Sequence, residues 1–311
     1  MQDSKSSPER VKCALAVDVG GTSIKYSLIN IQGQIIDGFP RSKHINSKGD
    51  REEILESFEL ILREMFESAD KRSLETIGIS CGVPGPFDYD RGISLIKGLD
   101  KYNAIYGVNL KDEFRRRLVL SDNFPILFEE DSSVFLRGEA WSGAAVNYRN
   151  IIGITLGTGF GSAFMKNGKI VKEGPGVPPL AWIGGLPYGD GLFDDYASKR
   201  GFEKTYEEMC DGKISVRNIA IEARAGNICA RKVFEKIGRL IGSFIKPIVY
   251  EFRADCVVMG GQISNAFDLL ENSLKSELCN HKRKPVVIKA KNIDTSPLIG
   301  AAKHLFEIIL K

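Results

Sequence analysis

Apolar positions at the start of the chain fall into short continuous runs separated by one long helical stripe. Cys13 to Asp18 is an apolar run closed by a carboxylate, which predicts a buried strand leading into Val19-Gly20-Gly21-Thr22. Tyr26 to Asn30 predicts a second strand, Gln32-Gly33 a turn, and Gln34 to Phe39 a third strand. Asp50 followed by Glu53 has the form of a capping box and starts a helix. Ile54, Leu55, Phe58, Ile61, Leu62 and Met65 share one face of that helix. Thr76 to Cys81 is a further strand that ends in Gly82-Val83-Pro84-Gly85-Pro86. Pro125 to Glu129 is another, followed by a helix that Asp131 begins.

The pattern then restarts. Ile151 to Leu156 predicts a strand, Gly157-Thr158-Gly159 a tight turn, Gly161 to Lys166 a strand, and Asn167-Gly168 a hairpin turn before Lys169 to Val171. The first half has the same series, with eleven positions from Thr22 to Gly33 against ten from Thr158 to Gly168. Two copies of one supersecondary unit predict a duplicated α/β fold. Beyond them lies a long helix from about Ala230 to Phe252, interrupted near Pro247. The strand Cys256 to Met259 meets Gly260-Gly261, and a last helix, Ser296 to Leu310, is led by Pro297.

Composition narrows the classes without choosing among them. The 311 residues suit two domains, with 43% apolar and 27% charged residues, as in ordinary globular proteins. The net charge of +3 comes from interspersed residues with no basic block, so neither nucleic acid nor a membrane surface is expected as a partner. Met1 to Arg10 is polar, unlike a signal peptide, and no apolar stretch reaches membrane-spanning length. Cysteines at 13, 81, 210, 229, 256 and 279 form no CxxC pair, and several lie in apolar runs. They read as buried free thiols of a cytoplasmic protein.

The glycine turns carry the first chemical hint. A Gly-rich turn between strands lets backbone N–H groups approach phosphate oxygens with no side chain in the way. One such turn alone is more often a plain tight turn; two, one per half, suit a nucleoside triphosphate in a cleft between domains. No Gly-x-x-x-x-Gly-Lys-Ser/Thr occurs, which excludes a P-loop. Gly157-Thr158-Gly159-Phe160-Gly161 precedes a strand and lacks the third glycine of a dinucleotide site. Asp18, beside the first turn, either caps that turn or holds a hydrated Mg²⁺ against phosphates.

Asp18-Val-Gly-Gly-Thr-Ser-Ile-Lys25 resembles the first phosphate motif of the ROK (repressor, open reading frame, kinase) sugar kinases. Leu156-Gly-Thr-Gly-Phe-Gly161 resembles the second, and Val258-Met-Gly-Gly-Gln262 the segment that approaches adenosine. Glu129-Glu-Asp-Ser-Ser-Val-Phe-Leu-Arg-Gly-Glu139 is similar to the family's Asn-Asp motif, and Leu298-Ile-Gly-Ala-Ala302 to its closing helix. The match runs through nearly the whole chain in order and spacing.

The resemblance implies an actin-like, hexokinase-type (ribonuclease H-like) duplicated fold, with two domains around an ATP cleft. It divides the chain into a polar tail (1–11), a small domain (12–127 plus 297–311) and a large one (128–296). It implies ATP and Mg²⁺ as cofactors, a hexose or hexose derivative as substrate, and a homodimer. Gly20, Gly21, Thr22, Lys25, Gly157, Thr158 and Gly159 would bind phosphates, and Gly260, Gly261 and Gln262 adenosine. Asp18 would hold Mg²⁺ through water, and Asp131 would be the general base; without the family, Asp131 reads as a helix N-cap. Gly85, Pro86, Glu130, Asp131, Trp182 and Asp194 would face the sugar.

The chain departs from the family pattern in three places. Glu130 stands where the family has Asn, so an amide that donates and accepts becomes a group that, ionised, only accepts. The family's sugar-binding Gly-Glu-x-Gly-His has no counterpart; Ala181-Trp182-Ile183-Gly184-Gly185 occupies that stretch, and the histidines are only His44, His281 and His304. Trp182 there either stacks on a sugar or packs in the core. The family's zinc site of one His and three Cys is absent, since no Cys lies between Cys81 and Cys210, so no zinc is expected. Asp194 stands where the family has a sugar-binding Glu, or is a plain loop or helix-start carboxylate next to Asp195. The alternative to a kinase is a non-catalytic sugar- or nucleotide-binding sensor. A DNA-binding repressor is not expected, because about a dozen residues precede the first strand, too few for a helix-turn-helix.

Overall fold

The protein is described by a computed structural model covering residues 10–278 and 284–310. The chain divides into two compact units, Met1–Val134 with Pro297–Lys311, and Phe135–Ser296. The sequence reading put the change of unit at 127/128; in the structure it falls after Val134, inside a helix.

The first unit contains β1 (Lys12–Val19), β2 (Ser23–Asn30), β3 (Arg41–His44), α1 (Arg51–Lys71) and β4 (Glu75–Val83). A small hairpin, β5 (Phe87–Asp88) and β6 (Ile93–Ser94), precedes α2 (Leu110–Leu118), β7 (Ile126–Glu130) and α3 (Asp131–Ser142). Its sheet has the order β3-β2-β1-β4-β7. The pairs β1–β2 and β2–β3 are antiparallel, β1–β4 and β4–β7 parallel. β1 is buried along almost its whole length, as a central strand covered on both faces must be. α1 starts where Asp50 accepts a 2.9 Å hydrogen bond from the Glu53 amide. Its predicted apolar face is buried with Leu15, Val17, Leu28 and Ile79 in one core.

The third strand is displaced from its expected place. Residues 34–39 contribute only an isolated bridge, Ile29 to Ile35, and pairing with β2 resumes at Arg41. Gly38 sits at φ +83° and Pro40 has no N–H to give a ladder, so the chain turns before it can pair.

The second unit contains β8 (Asn150–Leu156), β9 (Phe160–Lys166), β10 (Lys169–Val171), the short pair β11 (Pro187–Tyr188) and β12 (Gly191–Leu192), and α4 (Phe193–Ala197). α5 (Lys199–Cys210), α6 (Val216–Arg224), α7 (Ile228–Phe252), β13 (Cys256–Gly260), α8 (Phe267–Leu278) and β14 (Val286–Lys289) follow, and α9 (Ser296–Ile309) ends the chain. The sheet order is β10-β9-β8-β13-β14. An antiparallel three-strand meander followed by two parallel strands therefore occurs in both units. This is the actin-like sheet present twice, as the repeated turn pattern implies.

Two local expectations are corrected. α7 runs unbroken through Pro247, because a continuous buried face from Ala230 to Phe252 holds it together across the missing hydrogen bond. Not all thiols are free: Cys210 at the end of α5 and Cys229 in the first turn of α7 form a disulfide, with Cα atoms 5.8 Å apart. α5 packs along α7, with Phe202 on Phe234, which brings the two helix ends within bonding reach. Cys13, Cys81 and Cys256 are buried free thiols, and Cys279 lies outside the described residues.

Glu139 on α3 is fully buried. It accepts hydrogen bonds from the amides of Ala144 (2.7 Å), Lys291 (3.1 Å) and Asn292 (3.2 Å) and from the Ser296 hydroxyl. Four donors to one carboxylate satisfy the charge it buries.

Candidate functional site

In the first unit the predicted residues gather at the carboxyl ends of three parallel strands. Asp18 near the end of β1 is in register with Gly82 of β4, and Val83 of β4 with Glu130 of β7. Ligands of open α/β sheets bind outside such strand ends. Asp18 is half-buried and lies directly opposite Lys25 in the β1–β2 ladder.

The first glycine turn is tightly built. The Gly20 amide donates to the Ser23 carbonyl at 3.0 Å, and a Cβ on Gly20 would stand 2.7 Å from that oxygen, so a larger residue does not fit. The Ser47 hydroxyl donates to the Gly21 carbonyl, and the Tyr102 hydroxyl to the Gly20 carbonyl at 2.6 Å. With the carbonyls held from behind, Thr22 is left exposed at the tip. Tyr102 is buried, and burial, with Asp18 adding to it, pushes its hydroxyl pKa well up, so it remains a donor. The sequence reading missed Ser47 and Tyr102, because contacts across 26 and 82 residues leave no local pattern.

Asp131 opens α3 as an exposed residue, and one carboxylate oxygen accepts the Ser132 amide at 2.7 Å. Glu130 beside it is half-buried and Glu129 buried. Gly85 and Pro86 follow β4, the neighbouring strand. Tyr89, whose hydroxyl donates to the Val83 carbonyl at 3.4 Å, has its pKa raised by burial and then by Glu130, Asp131 and Glu129. The three acids and the Gly85-Pro86 segment therefore share one region. Asp18 fits a divalent cation of the Mg²⁺ kind, since a single half-buried carboxylate beside an open turn leaves most of the ion's ligands to water and phosphate. Among the described residues no group of three or more His, Cys, Asp or Glu is arranged to hold a metal ion.

In the second unit the site is built around the backbone of Phe160. The Gly157 amide closes the second turn on the Gly159 carbonyl at 3.0 Å, and the Lys199 amide holds the Gly157 carbonyl at 2.9 Å. Phe160, the next residue, donates its N–H to the Asp194 carboxylate, and its carbonyl accepts from the Trp182 indole N–H at 2.8 Å. The other oxygen of Asp194 accepts from Arg200 at 2.6 Å, and Arg200 also reaches Asp195 at 3.1 Å. A Cβ on Gly159 would meet Asp194 at 3.0 Å, so the glycine and the acid fit each other. Trp182 packs on Gly184 and Gly185, where an added Cβ would run into the indole at 2.6 and 2.3 Å. The buried Ser162 hydroxyl fixes the segment that carries Trp182, donating to the Ala181 carbonyl at 2.7 Å and accepting the Ile183 amide at 2.8 Å.

Gly260, Gly261 and Gln262 lie next to this turn. Gly260 is in register with Thr155, and Gly261, at φ +79°, leaves only 2.3 Å between an added Cβ and the Leu156 carbonyl. Position 261 requires glycine for both conformation and space. Gln262 donates to Asp294 at 2.9 Å from an exposed position.

The sequence model of the ROK family matches residues 14–307, and the chain belongs to that family. It is 27% identical to an N-acetyl-D-glucosamine kinase of Haemophilus influenzae, over 92% of this chain and 97% of that protein. It is 25% identical to a glucokinase of Halalkalibacterium halodurans, over 84% of this chain and 83% of that protein. Among solved structures, a ROK family glucokinase from Streptomyces griseus in complex with glucose and AMPPNP superposes with a TM-score of 0.75. That pair is 21% identical, covering 94% of this chain and 98% of the other. The likeness establishes the shared actin-like ATPase fold.

Proposed function

We propose that this protein transfers the terminal phosphoryl group of ATP to a hydroxyl of a hexose or hexose derivative, with Asp131 as general base. The observation that carries the reading is the exposed carboxylate of Asp131 at the end of β7, one strand from Gly85-Pro86 and two from Asp18. The names of the related kinases support the reaction class.

Phosphoryl transfer asks little covalent chemistry of a protein; it asks for positioning and for charge stabilisation. The amides of Gly21 and Thr22 and those of Thr158 and Gly159 receive phosphate oxygens, with Lys25 adding positive charge; the Gly20 and Gly157 amides close the two turns on the Ser23 and Gly159 carbonyls. Gly260-Gly261-Gln262 receives the adenosine. Asp131 accepts the proton of the attacking hydroxyl as its oxygen bonds to the terminal phosphorus, while the bond from that phosphorus to the bridging oxygen breaks and ADP leaves. Glu130, Gly85 and Pro86 orient the sugar beside it. Asp18 would hold Mg²⁺, which would neutralise charge on the phosphates when bound. Trp182 and Asp194 hold the Phe160 peptide, which supports a role in fixing the second phosphate turn beside any role toward the sugar.

A coupled ADP-release assay with Mg-ATP across hexoses, amino sugars, N-acetylated sugars and ketohexoses tests the reading. ADP release that requires one of these sugars is expected. ATP binding with no release across the panel would favour the sensor reading.

A further inference from the structure

The loop that follows β6 bears a lysine that sequence motifs do not single out. Tyr102 anchors this loop to the first glycine turn by two contacts: its hydroxyl on the Gly20 carbonyl, and its amide on the Ser47 carbonyl at 2.6 Å. Ser47 in turn holds Gly21. Tyr102 keeps a left-handed backbone, φ 57°, with its ring buried, an arrangement that bulky residues adopt only where the surroundings enforce it. The residue before it is thereby carried against the turn: a Cβ on Gly21 would lie 3.5 Å from Lys101 Cδ.

The ammonium of Lys101 is one methylene beyond that atom. Lys101 is half-buried and, among the described residues, makes no ion pair, whereas the neighbouring Lys48 pairs with Asp100. Lys101, with Ser47 and Lys48, lines an open cavity of about 470 Å³. A cation that makes no ion pair among the described residues, on a stem beside a glycine turn, suits an anionic ligand.

We propose that Lys101 is a phosphate-binding residue, delivering its ammonium to the phosphate chain of a nucleoside triphosphate seated on Gly20–Thr22. The proposal rests on the nucleotide-binding part of the function proposed above, and Tyr102 acts as the positioning residue that sets the lysine in place. A lysine serves here as a compact point charge that follows the phosphate as charge shifts. Losing a charge-assisted hydrogen bond of this kind weakens binding by roughly 10- to 100-fold.

The test is calorimetric titration of the whole protein with Mg-ATP, repeated for Lys101→Met, Lys101→Arg and Tyr102→Phe, alongside steady-state KM values for ATP and for the accepted sugar. Lys101→Met is expected to raise the Kd for Mg-ATP by about tenfold or more, Lys101→Arg to restore most of it, and the sugar KM to stay unchanged. Tyr102→Phe keeps the lysine and the amide contact to Ser47 but removes the hydroxyl tie to Gly20, and is expected to weaken Mg-ATP by a smaller factor. An unchanged Kd in Lys101→Met, or a rise confined to the sugar KM, overturns the proposal. Wild-type protein that binds Mg-ATP yet phosphorylates no sugar defeats the kinase reading and leaves this binding comparison decisive. Wild-type protein that binds no nucleotide defeats both.

Discussion

Asp194 accepts the amide proton of Phe160, the residue that leaves the second glycine turn, and its other oxygen is held by Arg200. A carboxylate that family resemblance assigns to the sugar is therefore committed to the backbone beside the second glycine turn. Asp194→Ala is expected to cost about 1.5–3 kcal/mol, since it removes a buried acceptor of charge-assisted hydrogen bonds. It should also raise the KM for ATP more than the KM for sugar. Urea midpoints and a paired KM measurement check both; a rise in the sugar KM alone would restore the sugar assignment.

Asp194 and Trp182 hold the N–H and the carbonyl of one residue, Phe160, so their effects should couple. A double-mutant cycle of Trp182→Phe with Asp194→Asn is expected to show a coupling of about 0.5–3 kcal/mol in stability. Strict additivity would mean that the two grips on Phe160 act independently. If Trp182→Phe leaves stability unchanged and raises only the sugar KM, the indole serves a sugar face instead.

The limits of the sequence are visible in these residues. α1, with its cap and buried stripe, was legible because helix periodicity and capping are local. The duplication was legible because the two glycine turns recur at matched spacing. Phe160 was not, because it acts through its backbone, whose partners are set by folding. Tyr102 is likewise 82 residues from the Gly20 carbonyl it binds. The Cys210–Cys229 disulfide depends on how α5 lies along α7, which Cys spacing does not encode. Pro247 misled because a local rule was overridden by a long buried face.

Gly261→Ala should destabilise the second unit by about 1–3 kcal/mol, because it forces a side chain into a left-handed backbone and against the Leu156 carbonyl. ATP affinity should fall with it, as Leu156 leads into the second turn. Thermal unfolding with and without Mg-ATP measures both effects, and a fully stable variant would contradict the packing argument.

Burial raises the Cys13 and Cys256 thiols from the ordinary value of 9.0 to about 12, with Glu75 adding at Cys13 and Asp255 and Glu139 at Cys256. Both stay protonated in the folded state at a pH where the unfolded chain has released them. The folded state then binds more protons, so stability falls as pH rises. The loss begins near pH 9 and continues to about pH 12. Urea midpoints at successive pH values in that range check the sign, and Cys13→Ser or Cys256→Ala should flatten the slope. Below pH 9 these thiols should resist alkylation until the protein unfolds.

Glu130 replaces the Asn of the family motif and no His lies in the 181–185 segment, so glucose should be a poor substrate. Its kcat/KM is expected to fall below about 10⁴ M⁻¹s⁻¹, the low end of ordinary enzymes. A value above that would show that Glu130 and the residues around it handle glucose by other contacts. Glu130→Asn then becomes informative: it should raise glucose turnover if the carboxylate is what disfavours this sugar.

Asp131→Asn tests the proposed base most directly, because the amide keeps the shape and removes the proton acceptor. With the accepted sugar, kcat is predicted to fall by about 10²- to 10⁴-fold, while the Kd for Mg-ATP changes by less than about twofold, a few tenths of a kcal/mol. Turnover close to wild type in that variant, with the same ATP affinity, would contradict the assignment and leave Asp131 as the residue that starts α3.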